Sequence, residues 1–176
     1  MSIKIGDPIP DFHLPATSGE SRSLDQIRGE HATVVMFWCN HCPYVIPNQQ
    51  RVIDMQDSLA DKGVNFVAIG SNSSESHPAD SFENMKIRAL QMAYNFPYLR
   101  DETQAVAKAY GAQRTPHVFL ADANLRLVYA GRIDDSPSHP DRVQSPDLLN
   151  AILAVLADEK PDPAETGAIG CSIKWK

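Results

Sequence analysis

The sequence is poor in cysteine, in positive charge and in long apolar runs. Only three cysteines occur among 176 residues, which is too few for a disulfide framework and is typical of a reducing compartment. The formal net charge is -6, so nucleic acids and acidic membrane surfaces are not expected as partners. No apolar stretch approaches the ~18 residues of a membrane span, and the first residues lack the apolar core of a signal peptide. These absences predict a cytoplasmic protein that binds neither membranes nor nucleic acids.

The rest of the composition is that of a globular protein with one main domain. Apolar residues make up 43% and charged residues 22% of the chain, and a chain of this length buries about two-thirds of its unfolded surface. Proline and glycine become frequent after residue 158, as in a linker. We therefore predict a domain over residues 1–158 and a tail over residues 159–176.

Two of the three cysteines lie in the motif Cys39-Asn40-His41-Cys42-Pro43, which directly follows the apolar run 32–38. The run is typical of a buried central strand, and the apolar spacing after Pro43 predicts a helix that ends at Lys62 and kinks at Pro47. Between a strand and a helix, both sulfurs would lie at the helix N-terminus, where unpaired N–H groups and the macrodipole favour a thiolate. The motif therefore predicts thiol–disulfide exchange, with a pKa of Cys39 below that of a free cysteine.

Periodic apolar patterns and turn residues predict the remaining elements. Tight turns are expected at 18–20 and 122–124. Pro146 is expected at the first position of the last helix, after a Ser145 cap. The other predicted elements are an edge strand at 11–14, a helical turn at 23–29, strands at 64–70, 114–122 and 125–131, and helices at 79–95, 102–110 and 146–157.

This order of elements, with the C-x-x-C after the first buried strand and Thr115-Pro116 at the start of a later one, resembles the thioredoxin-like superfamily. The segments 6–15 and 129–135 are similar to its AhpC/TSA branch, which includes peroxiredoxins and TlpA/ResA-type thioredoxin relatives. The resemblance implies an α/β thioredoxin-like fold. In it, helices flank both faces of a central mixed sheet, with an N-terminal extension and a C-terminal tail.

The resemblance also implies a role for each residue of the site. Cys39 would be the more exposed, attacking thiolate, and Cys42 the resolving thiol that closes the disulfide. A cationic His41 would stabilise the Cys39 thiolate and make the pair more oxidising. Pro116 would be a cis-proline that faces the motif, so that the Thr115 backbone pairs with a partner. Neither a cofactor nor a metal is implied, and the substrates would be protein or small-molecule disulfides and thiols, with an unidentified electron donor.

Two other functions stay open. A peroxidase that reduces hydrogen peroxide or organic hydroperoxides is the main alternative. Against it, Cys39 stands where the peroxiredoxin pattern P-x-x-x-T-x-x-C has its threonine, and no matching proline precedes it. A redox-inert module would use the cysteines as ligands, for example in a zinc site completed by His41 and Cys171. The position of His41 between two cysteines and the lack of a second cysteine pair disfavour zinc.

The end of the tail has a pattern that its linker composition does not predict. Ile169, Cys171, Ile173 and Trp175 alternate with small or basic residues, which is the period of a half-buried strand. We expect the tail to dock on the domain by burial of Ile173 and Trp175, with Cys171 facing inward. Cys171 would then be either a relay thiol that reaches the C-x-x-C pair or a small apolar residue in the packing.

Overall fold

Nine β-strands and five α-helices make up the described part of the chain, residues 2–176 of a computed structural model. Met1, at the start of the predicted domain, lies outside the described residues. Within residues 2–176, no helix is long and apolar enough to cross a membrane. In chain order the elements are β1 His13–Pro15, β2 Ser21–Ser23, α1 Leu24–Ile27, β3 Ala32–Trp38, α2 Gln49–Leu59, β4 Val64–Gly70, α3 Phe82–Gln91, β5 Tyr98–Arg100, α4 Ala105–Tyr110, β6 Arg114–Thr115, β7 His117–Asp122, β8 Leu127–Gly131, α5 Asp147–Leu156 and β9 Cys171–Ser172.

Five of the strands form the central sheet, in the order β5-β4-β3-β7-β8. β3 pairs in parallel with β4, and β4 with β5, whereas β7 is antiparallel to both β3 and β8. Because the parallel strands end at the same edge, the loops after β3, β4 and β5 meet there. The predicted mixed sheet of a thioredoxin-like α/β fold is confirmed.

β3 lies in the middle of the sheet, and all seven of its residues are buried. Val34 and Met36 pack in a core with residues of α2, α3 and α5. Val35 and Phe37, which point to the opposite face, pack in a second core with residues of α1 and α4. Each such side chain contributes about 1.5–3 kcal/mol by leaving water. The prediction that helices flank both faces of the sheet is therefore confirmed.

Two prolines act at element boundaries rather than inside the elements predicted for them. Pro47 lies in a 3₁₀ turn, Ile46–Asn48, that precedes α2, so it does not kink a continuous helix. Pro116 divides the predicted strand 114–122 into β6 and β7, because it has no N–H to donate to a ladder. Both differences affect the site, because each proline lies next to a segment that carries residues of the site.

Three helices begin later than predicted: α4 begins at Ala105 rather than at 102, and α3 and α5 begin directly after their N-cap residues. The Ser81 hydroxyl accepts a hydrogen bond from the Asn84 N–H over 3.2 Å, so α3 begins directly after Ser81. α5 begins after Pro146, which is its N-cap residue rather than its first helical residue. The predicted Ser145 cap is wrong, because the Ser145 hydroxyl contacts Asp147 Oδ1 instead of a backbone N–H.

The tail that follows α5 returns to the sheet edge where β3 ends. β9 pairs antiparallel with β6, with Cys171 opposite Thr115. Ile173 is 3% exposed and belongs to the core on the α4 side of the sheet, whereas Trp175 is 42% exposed. The expected burial of Trp175 is wrong, because its ring remains at the surface, with the ammonium group of Lys108 5.8 Å from the ring centroid.

Candidate redox site

Cys42 lies at the start of the helical segment that follows β3. Its carbonyl oxygen accepts hydrogen bonds from the N–H groups of Val45 and Ile46, over 2.9 and 3.0 Å. The Tyr44 N–H donates to Cys42 Sγ over 3.4 Å. N–H groups of a first helical turn favour negative charge, so this position stabilises a thiolate at Cys42.

Cys39 lies one residue beyond β3 and belongs, with Cys42, to the core on the α2 side of the sheet. The two residues are 3% and 5% exposed, so the expectation that Cys39 is the more exposed thiol is wrong. Cys39 is buried because it continues a strand that is buried throughout. The Thr115 hydroxyl donates to Cys39 Sγ over 3.5 Å.

The tail supplies a third thiol to this site. Cys171 Sγ lies 2.9 Å from Cys42 Sγ, although the two residues are 129 positions apart in the chain. The Thr115 carbonyl oxygen lies 3.3 Å from Cys42 Sγ, and the Thr115–Pro116 bond is cis, as the resemblance implies. All three cysteines are free thiols. Cys39, Cys42 and Cys171 therefore surround the backbone and side chain of one residue, Thr115.

Hydrogen bonds among the thiols decide which of them carries negative charge. Donation from Cys39, then from Cys171 and the Tyr44 N–H, lowers the pKa of Cys42, although burial acts in the opposite direction. The hydrogen bond with Cys42 raises the pKa of Cys39, and burial and the nearby Asp80 carboxylate raise it further. The pKa of Cys42 is therefore lowered and that of Cys39 raised, which favours Cys42 as the thiolate of the pair.

These directions favour the opposite order of the two motif cysteines from the one that the resemblance implies. One contact opposes a Cys42 thiolate, because the Thr115 carbonyl oxygen, 3.3 Å away, can accept a hydrogen bond only from the protonated sulfur. This acceptor is opposed by the Tyr44 N–H, which donates to the same sulfur over 3.4 Å. The prediction that Cys39 has the lowered pKa is wrong, because the contact with Cys42 and burial raise its pKa and the first helical turn begins three residues later, at Cys42.

His41 lies between the two cysteines in sequence, but its imidazole contacts a carboxylate. His41 Nδ1 is 3.4 Å from Asp80 Oδ1, and the His41 side chain is 47% exposed. Asp80 is 3% exposed and also accepts hydrogen bonds from the Asn40 N–H and from Asn72 Nδ2, both over 2.9 Å. The His41 imidazole thus lies against Asp80, whereas the resemblance implies that it stabilises Cys39.

Asp80 and Asn72 are the site residues that sequence reasoning missed. Both belong to the polar segment 71–80 after β4, which is the parallel neighbour of β3. Because parallel strands end at the same edge of a sheet, polar side chains in that segment are expected beside the C-x-x-C. The signal was therefore present in the sequence as a carboxylate and an amide in the loop after the second buried strand.

An open cleft of about 190 Å³ gives access to the three thiols. It is smaller than the roughly 300–1,000 Å³ of pockets that enclose drug-sized ligands, so it suits a small reactant. Among residues 2–176, no cluster of three or more His, Cys, Asp or Glu side chains is arranged to hold a metal ion. The cleft is lined by Cys39, His41, Cys42, Pro43, Asn72, His77, Asp80, Thr115, Cys171 and Lys174.

Comparison with known proteins assigns the chain to a family. The sequence model of the AhpC/TSA family matches residues 5–130. The chain belongs to the AhpC/TSA family. This result and the thioredoxin-like structural neighbours confirm the predicted branch of the superfamily.

Relatives of this AhpC/TSA protein include both peroxiredoxin-like and thioredoxin-like chains. It is 26% identical over 113 residues to the provisionally named peroxiredoxin bcp of Coxiella burnetii (strain RSA 493 / Nine Mile phase I), covering 63% of this chain and 68% of that one. It is 27% identical over 126 residues to the thioredoxin-like protein YneN of Bacillus subtilis (strain 168), covering 69% and 68%. An uncharacterised conserved protein from Geobacillus kaustophilus superposes with a TM-score of 0.92 at 42% identity, covering 98% of this chain and 93% of that one. AhpC/TSA proteins are in general oxidoreductases that act on thiols, disulfides or peroxides.

Proposed function

We propose that the protein is a thiol–disulfide oxidoreductase in which Cys42 and Cys39 alternate between a dithiol and a disulfide. The observation that carries this proposal is the position of Cys42 Sγ, which accepts a hydrogen bond from the Tyr44 N–H at the start of the helical segment and lies 2.9 Å from Cys171 Sγ. A thiolate stabilised in this way attacks disulfides at neutral pH, where an ordinary cysteine is mostly protonated. Cys42 is therefore the proposed attacking residue, and Cys39 is the resolving residue.

Exchange with a disulfide substrate takes two steps. The Cys42 thiolate attacks one substrate sulfur, which forms a mixed disulfide and releases the other sulfur as a thiolate that takes up a proton. Cys39 then loses its proton and attacks Cys42 Sγ, which closes the Cys39–Cys42 disulfide and releases the second substrate thiol. The Thr115 hydroxyl donates to Cys39 Sγ and stabilises that sulfur as it becomes negative. Two electrons thus pass from the protein thiols to the substrate.

The substrate class is a protein or small-molecule disulfide. An external thiol donor must reduce the Cys39–Cys42 disulfide before the next cycle. We place the activity in the cytoplasm, because three free cysteines without a disulfide framework suit a reducing compartment. Residues 1–158 form the proposed catalytic domain, and residues 159–176 form a tail that contributes the third thiol.

Single-turnover reaction with hydroxyethyl disulfide tests the order of attack. All variants carry Cys171→Ser, so that only the C-x-x-C pair reacts. Addition of Cys39→Ser is expected to leave a stable mixed disulfide on Cys42. Addition of Cys42→Ser is expected to slow the reaction at about pH 6.5 by at least about tenfold, because Cys39 is protonated there. Peptide mapping after acid quenching locates the adduct, and a faster reaction at Cys39 than at Cys42 would overturn the proposal.

Peroxide reduction is the second candidate, and the small size of the cleft favours it. Cys42 is 5% exposed and is reached through a cleft of about 190 Å³, which admits hydrogen peroxide more easily than a protein loop. Attack of the Cys42 thiolate on the O–O bond would give a sulfenic acid and release water or an alcohol. Cys39 would then condense with the sulfenic acid, which forms the disulfide and releases water.

Anaerobic stopped-flow mixing of the reduced protein with each oxidant discriminates the two activities. A rate constant for hydrogen peroxide well above that for hydroxyethyl disulfide, lost in Cys42→Ser, would establish peroxide as the substrate. The opposite order would leave disulfide exchange as the function.

A further inference from the structure

The C-terminal tail occupies the backbone edge that lies beside Cys42. β9 pairs with the two-residue strand β6, with Cys171 opposite Thr115. The Ile173 N–H extends this ladder by donating to the Gln113 carbonyl oxygen over 3.0 Å. Within residues 2–176, β6 has no other strand partner. A peptide that approached Cys42 by strand pairing would need this same edge.

Side chains from two loops hold the tail in this position. The Lys174 N–H donates to Asn72 Oδ1 over 2.9 Å. The Lys174 carbonyl oxygen accepts from the Ser73 N–H over 2.7 Å and from Gln104 Nε2 over 2.9 Å. Asn72 and Gln104 are 4% and 1% exposed. Buried polar groups of the domain thus depend on the tail for partners, which distinguishes it from a frayed chain end.

The tail approaches Thr115 so closely that only glycine fits immediately before Cys171. A Cβ atom added at Gly170 would collide with the carbonyl group of Thr115. A Cβ atom added at Gly167, in the same tail, would meet nothing within 4 Å. The contact at Gly170 is therefore specific to the docked position, and it sets how near the tail backbone comes to Cys42.

We propose that the tail is an intramolecular substrate of this site: it fills the Thr115 edge in place of a partner strand and forms a disulfide between Cys171 and Cys42. The proposal rests on the proposed thiol–disulfide exchange. It names Cys171 as the thiol with which Cys42 first forms a disulfide. The 2.9 Å contact between the two Sγ atoms carries it, because bond formation then requires a movement of only about 1 Å. Cys42 thus has two resolving thiols, one in the motif and one in the tail.

The oxidant that forms the Cys42–Cys171 disulfide is a low-molecular-weight disulfide, which is itself reduced to two thiols. The Cys42 thiolate attacks the oxidant, which gives a mixed disulfide and one free thiol. Cys171 loses its proton and attacks Cys42 Sγ, which releases the second thiol, so that two protein thiols are oxidised and one disulfide is reduced. Burial, and then the contact with Cys42, raise the pKa of Cys171, whereas Lys174 and Arg114 lower it. The mixed disulfide removes the Cys42 charge, so Cys171 ionises more easily at the step where it must attack.

Docking of the tail also determines which substrates react first. A small disulfide reaches Cys42 through the cleft while β9 stays paired. A protein disulfide that pairs with Thr115 must first displace β9. The docked tail therefore favours small oxidants, and its release opens the site to protein substrates.

The Cys39→Ser variant isolates the inferred disulfide, because only Cys42 and Cys171 can then pair. One equivalent of hydroxyethyl disulfide is expected to give a monomer that has lost two hydrogen atoms and contains a cross-linked Cys42–Cys171 peptide pair. Persistence of the mercaptoethanol adduct on Cys42 would overturn the proposal. Peptide mapping and intact mass distinguish the two products.

Two glycine variants test whether docking brings the thiols together. In the Cys39→Ser background, Gly170→Ala is expected to slow closure of the disulfide by at least about tenfold, because overpacking against Thr115 destabilises the docked tail. Gly167→Ala is the matched control and is expected to close at the parent rate. With all three cysteines present, Gly170→Ala is expected to reduce insulin faster than Gly167→Ala. Equal closure rates in the two glycine variants would contradict the proposal.

The Cys171→Ser variant separates failure of this inference from failure of the proposed function. It keeps Cys39 and Cys42, so it is expected to form the Cys39–Cys42 disulfide with the same oxidant. If it does, and Cys39→Ser forms no cross-link, only the role of the tail is overturned. If neither disulfide forms, the proposed exchange itself is wrong.

Discussion

Cys42 lies between two thiols that the fold positions in different ways. Cys39 precedes it on the loop after β3, whereas Cys171 is 129 residues away and belongs to β9. Cys39 is 3% exposed and continues a strand that is buried throughout, so it cannot leave the site unless the sheet opens. Cys171 is held by a two-residue strand, by the buried side chain of Ile173 and by the backbone hydrogen bonds of Lys174.

A thiol can therefore lie beside a reactive sulfur permanently, as Cys39 does, or only while another element is docked, as Cys171 does. Opening of the tail end breaks the β6–β9 ladder, the packing of Ile173 and the polar contacts of Lys174 and Lys176. Opening at Cys39 breaks the central sheet, which is expected to require a free energy close to that of global unfolding. The motif thiol is thus always available to Cys42, and the tail thiol is available only while β9 is docked.

The largest expected difference between the motif thiols is in reactivity at low pH. In the Cys171→Ser background, a variant with Cys42 alone is expected to be alkylated roughly 100-fold faster at about pH 6 than a variant with Cys39 alone. The reason is that Cys42 keeps the Tyr44 N–H as a donor to its sulfur when the other two cysteines are replaced, whereas burial and the Asp80 carboxylate still raise the pKa of Cys39. The difference should shrink as the pH rises. Iodoacetamide rates across the pH range measure it, and a faster Cys39 at neutral pH would reverse the assignment.

Ile173→Ala should separate the conditional contact from the permanent one. Loss of this buried side chain is expected to destabilise the docked tail by about 2 kcal/mol, or roughly 30-fold in the hydrogen exchange of tail amides. Amides of β3 should be unaffected. Trp175→Ala, at a residue that is 42% exposed, is the matched control with a smaller expected effect. Equal acceleration in β3 and β9 would show that the tail and the sheet open as one unit.

A low pH should destabilise the segment around Pro116, which supports both Cys39 and Cys171. Burial lowers the pKa of His117 to about 4, and its Nδ1 accepts a hydrogen bond from the Gln113 N–H over 3.2 Å. The neutral ring therefore stabilises the fold fully above the unfolded pKa of about 6.5, and this contribution is lost as the pH falls from there towards about 4.

The measurement for His117 is urea unfolding at about pH 7 and about pH 4.5. Over that range the wild type is expected to lose about 1–2 kcal/mol more free energy of unfolding than His117→Gln, which cannot titrate. The same pH dependence in both proteins would mean that His117 is protonated in the folded state without cost.

The smallest expected effect concerns the carboxylate on the Cys39 side. The Asp80 charge contributes to the raised pKa of Cys39, after the contact with Cys42 and burial. In a protein with Cys39 as its only cysteine, Asp80→Asn is expected to speed alkylation by about threefold. Glu83→Gln, at a side chain that is 81% exposed, is the control with no expected change. An unchanged alkylation rate in Asp80→Asn would show that the Asp80 charge does not act on Cys39.

Much of the fold was predictable from local patterns. The seven buried residues of β3 are a continuous run with a single polar member, and the C-x-x-C follows them directly. The alternation at the end of the tail correctly indicated that Ile173 is buried, but not that Trp175 stays at the surface. Helix starts were less predictable, because the caps at Ser81 and Pro146 depend on which hydrogen bonds the folded backbone leaves unpaired.

The sequence by itself determined the central strand, the position of the two motif cysteines and the two-residue period of the tail, because these are properties of neighbouring residues. Only the tertiary structure decided that Cys42, rather than Cys39, is the thiol whose pKa is lowered, and that Cys171 faces it. The lowered pKa depends on the Tyr44 N–H and on thiols from two segments, and a slip of the tail by one residue would turn Cys171 to the opposite face. That register comes from contacts of Gly170 and Lys174 with residues more than fifty positions away in the chain, which no local pattern encodes.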